Sequence, residues 1–233
     1  MKKTKSENWK KYGFEFLSMF IAIIAAFALT NWGDNIKNDN SEHKILVEIS
    51  NGLEKDLEDI ELNMFGHKQG ISACNYFRNL FIGKDLETDS LMIYYHTLTR
   101  DFVSIQNIAG YETLKSRGLE LIKNDSLRLK IISLYEYDYN TLRKLEEEYS
   151  EMQFHKNYFK EINEELAPHF NIDNDGDITG INLPLKIQEN KKNKLLVYLW
   201  KIQINRLFIL QYYSDIKKKV NELRDNIKIE IER

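Results

Sequence analysis

FLSMFIAIIAAFALTNWG, residues 16–33, holds no charged side chain. As a helix rising 1.5 Å per residue it would be about 27 Å long, close to a bilayer hydrocarbon core of about 30 Å. A buried core helix can have the same length, but the flanks favour lipid. Lys2, Lys3, Lys5, Lys10 and Lys11 precede the run, opposed only by Glu7 and Glu15. Trp32 closes it, with Asn31 and Asp34 alongside, as an aromatic anchor at a membrane–water interface does. Over residues 34–48 Asp34, Asp39, Glu42 and Glu48 outnumber Lys37 and Lys44, so the positive-inside asymmetry puts the N-terminus in the cytoplasm and the remaining two hundred residues across the membrane.

A cleaved signal peptide is the rival reading, because a basic start, an apolar stretch and Ala26-Phe27-Ala28 satisfy its minimal description. Against cleavage, no polar region precedes Ala28 and the apolar run continues to Leu29. Both readings export the bulk of the chain. Within the span Ser18, Ala22, Ala26 and Thr30 recur every fourth residue, a face of small side chains on which a second membrane helix can pack closely; alanine is also simply common in spans.

The other residues suit one helical domain. Of 233 residues, 42% are hydrophobic and 30% charged, with only 2 Pro and 10 Gly, which excludes collagen-like and disordered chains. A mean hydropathy of -0.50 excludes a polytopic membrane protein. The net charge of -3 leaves no global basic field for nucleic acid. The single cysteine, Cys74, forms no intrachain disulfide and reads as a small buried hydrophobe.

Apolar periodicity predicts the elements. Ile45, Ile49, Leu53, Leu57, Ile60 and Met64 fall three and four apart, a helix over 42–64 that can continue directly from the span. Residues 68–118 read as shorter helices punctuated by Gly66, Gly70, Gly83 and Gly110, the last ending at Gly118. Asn124 or Asp125 opens a long helix over about 125–166, with Leu142, Leu145, Tyr149, Met152, Phe159, Ile162 and Leu166 on one stripe, stopped by Pro168. Leu199, Ile202, Arg206, Ile209, Tyr213, Ile216, Val220, Leu223 and Ile227 then alternate steps of three and four without a slip. That repeat predicts coiled-coil-like packing, within the chain or as a C-terminal oligomerisation coil, with Arg206 pairing a Glu on a facing helix.

The expected fold is therefore all-α: a basic tail (1–13), a transmembrane helix (14–33) and an extracytoplasmic up-and-down helical bundle (34–233) with long coiled-coil-like helices and a loop or small hairpin at 171–187.

Three pieces together carry a resemblance. They are the lysine-rich start leading into a span that opens with Glu15 and closes with Asn31-Trp32, the amphipathic helix after it, and Tyr111-Glu112-Thr113-Leu114-Lys115-Ser116 with Gly118, Leu121, Ile122 and Leu127. The chain resembles a group of small single-pass helical membrane proteins of Gram-negative bacteria known only as a domain of unknown function. The resemblance covers the first sixty residues and the middle section. It implies an anchor rather than a signal peptide, hence the bacterial inner membrane with the bundle in the periplasm, and it brings no catalytic or binding residues.

Chemistry is sparse. Asn171-Ile172-Asp173-Asn174-Asp175-Gly176-Asp177 suggests a calcium loop with Asp173, Asp175 and Asp177 as candidate ligands. The closing bidentate Glu is missing, its place taken by Asn182, and turn chemistry at Asp175-Gly176 accounts for the same residues. None of the five histidines follows a Glu by three residues, as a di-iron bundle requires. Glu146-Glu147-Glu148 reads as a solvated helix face. The tyrosines at 94–95, 135–139 and 212–213 suit core packing or an aromatic groove. No enzyme and no cofactor are expected. The partners expected are the lipid bilayer and a protein, either a second copy or another chain, with an accessory ligand-binding bundle as the alternative.

Overall fold

The computed structural model describes residues 4–84, 86–87 and 89–232, and it is mostly helical. Lys2 and Lys3 of the expected tail lie outside the described residues, as do the side chains of Lys5 and Lys10. One helix, α1 (Thr4–Phe81), runs 78 residues without a break. No boundary separates its apolar run from its domain-forming part. The same helix carries exposed Phe16 and Trp32 and then, from Ile45 and Leu46 onward, side chains buried in the domain core. The exposed stalk between Gly33 and Ile45 is about 18 Å long.

Gly66 and Gly70, which read as helix breaks in the sequence, do not interrupt α1. A Cβ on Gly66 would lie 2.3 Å from the Phe102 ring, and one on Gly70 would lie 2.3 Å from Nε of Arg206. The two glycines thin the helix where an aromatic ring and a guanidinium cross it. Their signal in the sequence is identical to that of a breaker, because a missing Cβ serves both purposes.

The last helix, α7 (Glu189–Ile231), packs antiparallel along α1. Gln203 meets Arg78 and Lys217 meets Glu61, 2.7 Å from Nζ to carboxylate, so rising numbers on one helix match falling numbers on the other. All nine residues of the expected stripe on α7 are buried.

Two short helices, α2 (Leu91–Leu98) and α3 (Ala109–Arg117), lie against other parts of α1. At α3 the backbones nearly touch: a Cβ on Gly110 would stand 2.9 Å from the Ile49 amide nitrogen. A main-chain neighbour cannot swing away. Gly110→Ala is therefore expected to destabilise the fold by about 1–3 kcal/mol through overpacking, although helix propensity alone favours alanine by about 1 kcal/mol. Thermal unfolding followed by circular dichroism reads the sign, and a variant at least as stable as the parent would refute the close approach.

The segment expected as one helix over 125–166 is broken. It comprises α4 (Asp125–Ile132), a π-helical turn (Ser133–Asp138), α5 (Tyr139–Glu147), a non-α interruption through Gln153, a second π turn (His155–Phe159) and α6 (Lys160–Leu166). Asn124 caps α4, its side chain accepting the Leu127 amide at 3.2 Å. The interruption shifts the helical phase. Tyr149 is left exposed, while Phe154 and Tyr158 enter the core instead. After Pro168 the chain forms an antiparallel hairpin, β1 (Phe170–Ile172) and β2 (Ile178–Ile181), the departure from an all-helical chain.

Candidate functional site

Residues 100–108, between α2 and α3, have no regular secondary structure. Backbone groups held against a core need partners, and side chains of other elements supply them. The Asp56 carboxylate accepts the Asn107 amide at 2.6 Å and the Tyr139 hydroxyl at 2.7 Å. Asp59 accepts the Ser104 hydroxyl at 2.6 Å and the Ile105 amide at 3.0 Å. Glu146 accepts the Ser104 amide at 3.1 Å and the Tyr213 hydroxyl. Asp101 accepts the Phe154 amide at 2.7 Å, tying one end of this strap to the broken segment.

Four carboxylates, from α1, α5 and the strap itself, thus hold this irregular stretch of chain in place. Glu146 belongs to the run expected to be a solvated face, but it is 5% exposed. Burial pushes its carboxyl up to about 7 and that of Asp56 up to about 6, opposed in each case by the hydrogen bonds they accept. Such carboxyls are found at catalytic sites. Here their oxygens are occupied by strap amides and tyrosine hydroxyls, which makes them holders of the backbone.

Outside the strap lies a pocket of about 420 Å³. Tyr111 and Tyr135 stack on one of its walls with centroids 4.5 Å apart and planes 7° from parallel, and Tyr139 meets Tyr135 edge-on. Val103, Ile105 and Ile108 of the strap form the rim, and Lys115, Glu136 and Arg143 supply charge. Lys115 is occupied by Glu112 at 2.7 Å.

On the far side of the strap, Arg206 is fully buried among Phe102, Phe154 and His67. Among the described residues no Glu pairs with it, contrary to the expectation from the sequence. Its guanidinium donates instead to the carbonyls of Thr97, Leu98 and Arg100 (3.2, 3.1 and 2.9 Å) and bonds to Nδ1 of His67 at 3.1 Å. These carbonyls stand at and just beyond the C-terminus of α2, where the helix dipole favours a cation. Burial lowers the Arg206 pKa to about 10, so it stays charged at neutral pH, while burial beside that charge lowers His67 to about 3. Cys74 is buried nearby, its thiol pushed up to about 11 by burial. No sequence motif announces either cluster; the signal available was one charged residue, Arg206, within an otherwise apolar repeat.

The candidate site residues singled out from the sequence are not part of the strap or of its holding carboxylates. Asp173, Asp175 and Asp177 sit on the exposed hairpin, where the Asp173 carboxylate accepts the amides of Asp175 (3.0 Å) and Asp177 (2.9 Å), a turn held by its own aspartate. Among the described residues no group of three or more His, Cys, Asp or Glu is arranged to hold a metal ion.

Ser18, Ala22, Ala26 and Thr30 follow one another at four-residue steps on the exposed part of α1. The two hydroxyls are satisfied within the helix, Ser18 by the Glu15 carbonyl and Thr30 by the Ala26 carbonyl, each at 2.9 Å. Trp32 is 65% exposed. This part of α1 is long and apolar enough to cross a membrane and none of its apolar window is buried by the domain, properties shared by a membrane span and a signal anchor.

No curated protein and no solved structure shows significant similarity to the chain. A family profile described as "Family of unknown function (DUF6090)" matches residues 15–159. The match opens at Glu15, takes in the rest of α1, the strap and its carboxylates, and stops at Phe159, short of the hairpin and α7. It covers well over half of the sequence, and the chain belongs to this family of unknown function.

Proposed function

We propose that the protein is a membrane-anchored helical interaction module, with its N-terminus in the cytoplasm and its bundle on the periplasmic side of the bacterial inner membrane. It carries no catalytic centre and acts by presenting the bundle to another protein or to a second copy. The observation that carries this reading is the continuity of α1: the residues that would lie in lipid and those that nucleate the core belong to one unbroken helix. A secreted domain needs no stiff connection to its leader. A scaffold does, because the stalk then fixes the height and direction of the bundle above the bilayer. The buried stripe of α7 against α1 supports a coiled-coil-like, up-and-down arrangement.

Fractionation tests the reading. The full chain, tagged at its C-terminus, is expected to stay in the membrane pellet after alkaline carbonate, with its N-terminus uncut and its bundle digested by protease added to spheroplasts. Recovery of the intact polypeptide in the cytosol would overturn it. If the small-residue face contributes to association, Ala22→Leu with Ala26→Leu weakens partner recovery severalfold without releasing the chain from the membrane.

A second reading, an accessory bundle that binds a small molecule and reports to a membrane partner, is supported by the pocket beside Tyr111 and Tyr135, whose size falls in the range of small-molecule sites.

A further inference from the structure

Helix α7 carries a second seam. Val197, Trp200, Ile204, Leu207 and Phe208 are 44–57% exposed, and 197, 200, 204, 207 and 211 alternate steps of three and four. At 100° per residue they lie roughly half a turn from Leu199, Ile202, Arg206 and Ile209, which face the core. Between Leu195 and Leu210 the helix is apolar nearly all round, as a helix buried on both sides is. Among the described residues, nothing covers the outer side.

The position of the seam narrows the occupant. Gln203 lies beside Arg78, and Arg78 is roughly 65 Å along α1 from Gly33. The anchoring bilayer is therefore out of reach. A second copy anchored in the same membrane presents its own seam at the same height and in the same direction. Parallel α7 helices then meet residue against identical residue, apolar against apolar, ending at Gln211 against Gln211, with no like charges opposed along the seam. Five side chains of this size, about half exposed, offer on the order of 500 Å² per copy, and twice that is about the 1,000 Å² that a specific interface needs. Confinement of both copies to one membrane raises their effective concentration and makes so small a contact sufficient.

We propose that two copies associate through this outer seam of α7 in a parallel, in-register pair. The inference rests on the membrane-anchored reading for its geometry. The test inserts the full chain into lipid nanodiscs or liposomes with Ile204→Cys as an added thiol. Cys74 is buried, so the parent chain is the silent control. Under a mild oxidant, Ile204→Cys is expected to form a disulfide-linked dimer in most molecules, whereas Ile105→Cys on the exposed strap stays monomeric. Trp200→Glu with Leu207→Glu, both on exposed positions, is expected to lower the dimer fraction at least tenfold with an unchanged circular dichroism spectrum.

A monomeric mass for the parent chain, equal linkage at residues 105 and 204, or an undiminished dimer in the double glutamate variant would overturn the proposal. Carbonate extraction of the same membranes separates the two readings. A dimer released by carbonate refutes the anchor and leaves the seam, while a monomer retained in the membrane refutes the seam and leaves the anchor.

Discussion

Arg206→Met is expected to destabilise the bundle by about 3–5 kcal/mol. Methionine fills much of the volume, and replacing a buried ion pair by an apolar side chain is often neutral because two charges disappear together. At Arg206 the partners are main-chain carbonyls and remain in place. Leu98 and Arg100 present their oxygens to the guanidinium at 3.1 and 2.9 Å, and a thioether donates to neither. Each carbonyl left dry costs roughly 1–3 kcal/mol, and the Phe154 ring loses the cation 4.4 Å from its centroid. Arg206→Lys is expected to recover little, since an ammonium cannot span three carbonyls and stack between two rings. Denaturant unfolding of the full chain in micelles, followed by far-UV circular dichroism, measures both variants. A methionine variant within about 1 kcal/mol of the parent would show that these carbonyls find other partners.

The same residue shows how far the sequence could be read. The repeat on α7 predicted its buried face residue by residue, Arg206 included, because burial along a helix follows a period that any sequence displays. What Arg206 binds was not legible. Its acceptors are backbone oxygens at the end of a different helix, and main-chain carbonyls carry no mark in the sequence. The strap was hidden for the same reason. Asp56 and Glu146 look like ordinary surface residues of acidic helices until the amides of Ser104 and Asn107, about 40 and 50 positions away, are brought against them. Gly66 and Gly70 misled in the opposite direction, since a glycine at a helix crossing and a glycine that ends a helix differ only in what stands opposite. The split of 125–166 had a trace in the sequence: Tyr149 and Phe159 continue the helical period, but Phe154 and Tyr158 do not, and two competing phases in one stretch mark an interruption.

Glu146→Gln is expected to gain on the parent chain as pH rises. In the folded protein the Glu146 carboxyl titrates near 7 against an ordinary value of 4.5, so between those two values the folded state binds a proton that the unfolded state has released. Stability contributed by this group is complete below pH 4.5 and is lost as pH rises through 7, for a total of about 3 kcal/mol at 1.36 kcal/mol per unit. Asp56, raised from 3.8 to about 6, adds a loss of the same sign at lower pH. His67 acts in the opposite sense: held neutral down to about 3, it takes up a proton only on unfolding between there and 6.5, so its share grows with pH across that interval. The raw stability curve therefore mixes opposing slopes. The difference between variant and parent isolates one of them, because Asp56 and His67 are present in both chains. Glutamine keeps an oxygen for the Ser104 amide and carries no charge, so relative to the parent it is expected to gain about 3 kcal/mol between pH 4.5 and 8, with the steepest part between 5 and 7. Chemical denaturation at half-unit intervals reads this directly. A difference that stays flat from pH 5 to 8 would mean that Glu146 ionises as freely in the bundle as in water, and the strap would then lack the dry carboxylate that anchors Ser104.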